Sequence, residues 1–203
     1  MTQTALPRRR RLRHALALPN LLTYGRLAAV PVVAFFLQSP SAPWEHWAAL
    51  GVYTVACVTD FFDGYLARIW KQQSPLGRML DPIADKLLVA TTLLAVTANR
   101  TLVGWTLWAA IIILCRELLV SGLREYLADV KAELPVSAIA KWKTTAQMFA
   151  LGFFIAGPAG EAVLPGTVQI GDTLLWVAAA LTLWTAIDYA LAGWPHMGEE
   201  EDA

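Results

Sequence analysis

Six long apolar blocks, separated by short polar or proline-containing stretches, constrain this chain more than any other feature. They fall at roughly 21–37, 46–69, 82–98, 103–128, 143–157 and 172–192. Only 16% of the 203 residues are charged, against about 25% in an average soluble domain. Apolar residues in blocks of this length, rather than as amphipathic faces, predict helices that cross a bilayer. The expected fold class is therefore an all-α integral membrane protein with six transmembrane helices.

Charge placement gives that expectation a direction. Arg8, Arg9, Arg10, Arg11 and Arg13 crowd the start, and Glu199, Glu200, Glu201 and Asp202 crowd the end. Beside an apolar span, a basic run reads as contact with anionic headgroups on the cytoplasmic side, with no nucleic-acid partner. Leu6, Leu12, Leu16 and Leu18 around the arginines predict an N-terminal interfacial amphipathic helix. The expected division is a basic interfacial segment at 1–18, a six-helix domain at 19–193 and an acidic tail at 194–203. Six spans leave both termini on one side, and every Lys and Arg except Arg100 then falls on or near that side. The positive-inside rule makes that side the cytoplasm.

Local signals fill in the joints. Asn20 after Pro19 is an expected N-cap, and Gly77 suits a tight turn between the second and third spans. Gly157 to Gly171 is an expected loop. Cys57 and Cys115 read as small buried hydrophobes. Trp44, Trp47, Trp70, Trp142 and Trp194 stand near span ends, as interface anchors do.

Four aspartates interrupt this apolar frame. Asp60 and Asp63 are three apart, and Asp81 and Asp85 four apart, so each pair shares a helix face. At about 1.5 Å per residue, Asp60 lies roughly 20 Å along the second span, in its cytoplasmic half. Asp81 and Asp85 begin the third span on that same side. Four carboxylates there repel one another unless a multivalent cation lies between them. Hard oxygens without His or Cys favour Mg²⁺, Mn²⁺ or Ca²⁺. Helix capping is the alternative, since Asp81 before Pro82 has the form of an N-cap followed by an N1 proline. Capping does not account for Asp60, deep within its span. A cation transporter would want polar residues further across the membrane, where these spans are apolar. A non-catalytic scaffold would not need Gly64, Ala67 and Gly77 beside four aspartates.

The pattern Asp60-x2-Asp63-Gly64-x2-Ala67-Arg68-x8-Gly77-x3-Asp81-x3-Asp85 resembles the complete signature of the CDP-alcohol phosphotransferase family. Further stretches are similar to its phosphatidylglycerophosphate synthase branch. These are Pro19-Asn20-Leu21-Leu22-Thr23-x2-Arg26, Asp81 to Leu88, Arg116 to Glu125, and Lys141-x-Lys143-Thr144-Thr145-Ala146-Gln147. The resemblance implies transfer of a phosphatidyl group from CDP-diacylglycerol to glycerol 3-phosphate, releasing CMP, by a homodimer in the bacterial cytoplasmic (inner) membrane. A sister enzyme would use serine, inositol phosphate or phosphatidylglycerol as acceptor. The resemblance further implies two divalent cations, Mg²⁺ or Mn²⁺, held by Asp60, Asp63, Asp81 and Asp85, with Asp85 as catalytic base. Asn20, Thr23, Arg26, Gly64, Ala67 and Arg68 would bind the CDP group. Arg116, Arg124, Lys141 and Lys143 are expected at the acceptor phosphate, because guanidinium and ammonium groups match a dianion. Pairing of Arg116 and Arg124 with Glu117 and Glu125, and of the lysines with headgroups, is the alternative for these cations.

Overall fold

The computed structural model describes residues 18–38, 40–70, 75–129 and 138–193. Among them are six helices and no strand: α1 (Leu18–Gln38), α2 (Pro43–Trp70), α3 (Pro75–Ala98), α4 (Thr106–Asp129), α5 (Ala138–Glu161) and α6 (Thr167–Gly193). Segments within α1 (Asn20–Gln38), α4 (Thr106–Leu123) and α6 (Thr167–Ile187) are long and apolar enough to cross a membrane. Among the described residues no such segment is found on α2, α3 or α5, where Glu45 and Asp60, then Asp81, Asp85 and Lys86, then Lys141 and Lys143 interrupt the apolar sequence. The basic N-terminal segment and the acidic tail lie outside the described residues. The chain divides into two compact units, Met1–Ala95 and Val96–Ala203.

In the first unit α1 packs along α2. The buried stripe of α1 is Asn20, Thr23, Arg26, Val30, Val33 and Leu37, spaced by threes and fours as one helix face requires. Its first half is polar and its second half apolar. On α2 the buried stripe is His46, Ala49, Tyr53 and Ala56. Small residues such as Ala49 and Ala56 let neighbouring backbones approach, which favours packing where lipid removes the hydrophobic drive. Phe36 and Trp44 meet edge-on across the α1–α2 connection, with ring centroids 5.8 Å apart.

The start of α2 is capped from within. Pro43 opens the helix, and the Glu45 carboxylate turns back to accept hydrogen bonds from Ser41 N (2.5 Å), Ser41 Oγ (3.1 Å) and Ala42 N (3.3 Å). This is the returning half of a capping box. The Ser41 amide, foremost among these donors, holds the Glu45 carboxyl below its usual range.

In the second unit α6 packs against both α4 and α5. A Cβ at Gly171 would lie 3.3 Å from Phe153 Cβ and 3.5 Å from Ala150 O, so α5 and α6 pass closely there. The α5 helix is kinked at Gly157 (φ 44°, ψ −130°), and Pro158 restarts the helix after the kink. Helical structure therefore continues to Glu161 and resumes at Thr167, so the expected 157–171 loop shortens to a brief turn. Glu161 closes that turn, accepting hydrogen bonds from Val168 N and Gly166 N, each at 2.8 Å. Those two amides hold its carboxyl below the ordinary range.

Other expectations also shift. Asn20 is not an N-cap, because α1 already begins at Leu18 and Pro19 is accommodated in its first turn. Gly77 lies in the first turn of α3 rather than in a loop, because the helix opens at Pro75, whose fixed φ suits that place. Asp81 and Pro82 are consequently interior, and Asp81 does not cap α3. The connection after α3 is tight, as expected. Arg100 takes a positive φ of 63°, and Leu102 N bonds back to Val96 O at 2.9 Å. Cys57 is only partly buried and Cys115 is exposed on α4, so neither is a core thiol. Trp44, Trp47 and Trp142 are exposed near helix starts. Trp70 has no described side chain, and Trp194 lies outside the described residues.

Candidate active site

The polar half of the α1 stripe meets the aspartate motif within the first unit. Arg26 Nη1 lies 2.5 Å from Asp60 Oδ1, and Thr23 Oγ1 donates to Asp81 Oδ1 at 2.5 Å. The Arg26 side chain is 1% exposed, whereas Asp60 is 43% exposed. The carboxylate thus touches a buried cation on one side and keeps an open side. Asp60 and Asp81 lie near enough for their charges to interact, and Asp85 acts electrostatically on Tyr53 and Cys57 of α2. One face of α2, carrying Tyr53, Cys57 and Asp60, is therefore close to the acidic start of α3. Asp85 is exposed, one turn beyond Asp81.

The donor set suits a hard divalent cation: carboxylate oxygens, with Asp60 and Asp81 each oriented through one oxygen by an α1 side chain. Among the described residues, no three His, Cys, Asp or Glu side chains gather closely enough to form a complete ligand set. The side chains of Asp63, Gly64, Ala67 and Arg68 lie outside the described residues, although their backbone continues α2. Asn20 is buried on the same α1 stripe.

A second polar cluster belongs to the second unit. Arg116 on α4 is buried and donates from Nη2 to Thr185 Oγ1 on α6 at 2.7 Å. Its Nη1 lies 3.5 Å from Glu117. Lys143 on α5 is buried and donates to the same Glu117 carboxylate. Two buried cations sharing one carboxylate thus tie all three helices of this unit together. Lys141 is exposed, since a two-residue step carries it around the helix from Lys143. The Arg124 side chain lies outside the described residues, as do those of Glu125 and Asp188.

Sequence reasoning missed Thr185. It stands in a nearly uniform apolar run, where a threonine carries no signal of its own. Glu117 was visible as a neighbour of Arg116, but its partnership with Lys143 requires α4 and α5 to be adjacent.

A family model described as CDP-alcohol phosphatidyltransferase matches residues 16–184. The chain belongs to this family. Its helices α1 to α5, and most of α6, fall within the matched region. A protein of Cereibacter sphaeroides named CDP-diacylglycerol–glycerol-3-phosphate 3-phosphatidyltransferase is 39% identical over 91% of this chain and 99% of its own length. Similar proteins bearing the same name occur in Rickettsia bellii (44% identical, covering 85% of this chain and 92% of the relative) and in Pseudomonas fluorescens (39%, covering 89% and 91%). The family match spans the first polar cluster and all of the second except Thr185, which stands one residue beyond its end.

Proposed function

We propose that this protein transfers the phosphatidyl group of CDP-diacylglycerol to the 1-hydroxyl of sn-glycerol 3-phosphate, giving phosphatidylglycerophosphate and CMP. The names and coverage of its relatives support this reading. The observation that carries the site is the engagement of Asp60 by Arg26 and of Asp81 by Thr23. Expensive polar groups on an otherwise apolar span are organised around the motif aspartates.

Asp60, Asp63, Asp81 and Asp85 would hold two divalent cations, Mg²⁺ or Mn²⁺, whose chemistry is to offset charge on the donor pyrophosphate. Asn20, Thr23, Arg26, Gly64, Ala67 and Arg68 are assigned to the CDP group. Asp85, exposed and one turn beyond Asp81, takes the proton from the attacking hydroxyl. The hydroxyl oxygen bonds to the lipid-linked phosphorus. The bond from that phosphorus to the CMP oxygen breaks, and its electron pair leaves with CMP. Direct attack of this kind inverts configuration at phosphorus. Arg116 and Lys143, with Arg124 and Lys141, are assigned to the acceptor phosphate.

In this reading all six helices cross the bacterial inner membrane, residues 19–193 act as one catalytic domain, and the active site faces the cytoplasm in a homodimer.

The test is CMP release by purified protein in detergent with CDP-diacylglycerol and Mg²⁺. Glycerol 3-phosphate, serine and inositol phosphate are offered separately, with Asp85→Asn as control. Release with glycerol 3-phosphate alone, lost in the variant, is expected. Release with a different acceptor would discard the acceptor-site assignment and keep the family chemistry. No release from folded protein with any acceptor would overturn the enzymatic reading and return attention to ion transport or scaffolding.

A further inference from the structure

The buried face of α5 carries two polar residues, Lys143 and Gln147, and then becomes wholly apolar through Ala150, Leu151 and Phe154. Lys143 is held by Glu117. Gln147, one turn further, is only 4% exposed, and its carboxamide oxygen accepts a hydrogen bond from no group among the described residues. Leaving a buried acceptor without a partner is destabilising. The nearest donor on this face, Lys143, is engaged by Glu117, and a ligand hydroxyl would supply the missing bond.

We propose that Gln147 is a specificity-determining residue that accepts a hydrogen bond from the 2-hydroxyl of a three-carbon polyol phosphate. This rests on the reading of Arg116 and Lys143 as the acceptor-phosphate site. Four residues of helix separate Lys143 from Gln147 by about 6 Å along the axis. That rise is of the order of the distance between the phosphate and the middle hydroxyl of glycerol 3-phosphate. Lys143 and Gln147 also lie on one face, as an i, i+4 pair does. The phosphate thus sits at the charged turn and the hydroxyl at the neutral one. An acceptor lacking the middle hydroxyl leaves the carboxamide buried and unpaired, and sites built around such a hydrogen bond reject the deficient analogue strongly.

The experiment compares glycerol 3-phosphate with 3-hydroxypropyl phosphate, which lacks only that hydroxyl. CMP release is measured on the full-length protein in detergent with CDP-diacylglycerol and Mg²⁺. The parent chain is expected to prefer glycerol 3-phosphate by about 5- to 100-fold in kcat/KM. Gln147→Leu should lose that preference by slowing glycerol 3-phosphate while leaving the deoxy acceptor within about twofold. Gln147→Glu keeps an accepting oxygen and should retain part of the preference.

Equal use of both acceptors by the parent chain overturns the inference without recourse to any variant. So does an equal loss on both acceptors in a Gln147→Leu protein whose thermal midpoint matches the parent's. Parent protein that transfers only to a different acceptor refutes the underlying functional reading instead, and this inference falls with it.

Discussion

The pair formed by Arg26 and Asp60 allows a quantitative test of how α1 supports the motif. Arg26→Met keeps most of the buried aliphatic stem and removes the charge, so the loss isolates the ion pair from the packing. Removing one partner of a fully buried pair costs about 3–5 kcal/mol. Asp60 is 43% exposed and can rehydrate, which brings the expectation down to the range of a charged hydrogen bond, about 1.5–3 kcal/mol. Asp60→Asn leaves the guanidinium buried against a neutral amide and should cost at least as much. The assay is a double-mutant cycle on unfolding in mixed micelles with metal chelated, using Arg26→Met, Asp60→Asn and the combination. The two changes should be non-additive by about 1–3 kcal/mol. Catalysis gives a second readout, since Arg26→Met alone should lower kcat/KM at least about tenfold if Arg26 orients a carboxylate used by the donor. Additivity within about 0.5 kcal/mol, together with unchanged turnover, would refute the argument that this contact organises the site.

Other outcomes follow from individual contacts. Thr23→Val removes the hydroxyl that donates to Asp81, and CMP release should fall about 10- to 100-fold with little change in the thermal midpoint. Thr185→Val leaves the Arg116 charge but not its anchor; kcat/KM for glycerol 3-phosphate should drop about 2- to 10-fold, read from initial rates. Gly160→Ala would place a Cβ 2.7 Å from Thr167 Cγ2 and 2.9 Å from Ala156 Cβ, and the branched Thr167 yields poorly, so denaturant unfolding should show a loss of about 1–3 kcal/mol. Glu161 has a depressed carboxyl pKa, so its capping contribution is present above the ordinary carboxylate range and is lost as pH falls through its folded value. Glu161→Gln should therefore flatten the acid limb of thermal midpoint against pH, and an unchanged limb would exclude this role for the carboxylate.

The all-helical class and the motif were legible in the sequence because both are local patterns. Apolar blocks mark helices, and the spacing of Asp60, Asp63, Asp81 and Asp85 is fixed along the chain. Helix starts were less legible. Pro19, Pro43 and Pro75 look like breaks but stand in first turns, where a missing N–H costs nothing. This misread the positions of Asn20 and Gly77 together. Crossing is plainest for α1, α4 and α6, whose described residues include a long apolar segment, while acids and bases dilute that signal on α2, α3 and α5. Partnerships between helices were the least legible. Nothing local announces that Thr23 meets Asp81, or that Thr185 supports Arg116. On α6 the buried stripe of Leu175, Ala178, Thr182 and Thr185 is hidden by a sequence that is apolar all round.

The buried guanidinium on α1 also bears on the order of assembly. Arg26 lies in the first half of a segment long and apolar enough to span a membrane, and an arginine alone in an inserting helix is costly, by about 2.5–3.5 kcal/mol at the centre and less toward the ends. Its carboxylate partner is not synthesised until most of α2 has been made. Until then the first helix is a reluctant passenger in lipid. The short connection to Pro43 and the Phe36–Trp44 contact bring the second helix alongside quickly. Insertion of the two as a hairpin, rather than one after the other, lets Arg26 and Asp60 enter the bilayer already neutralised by each other.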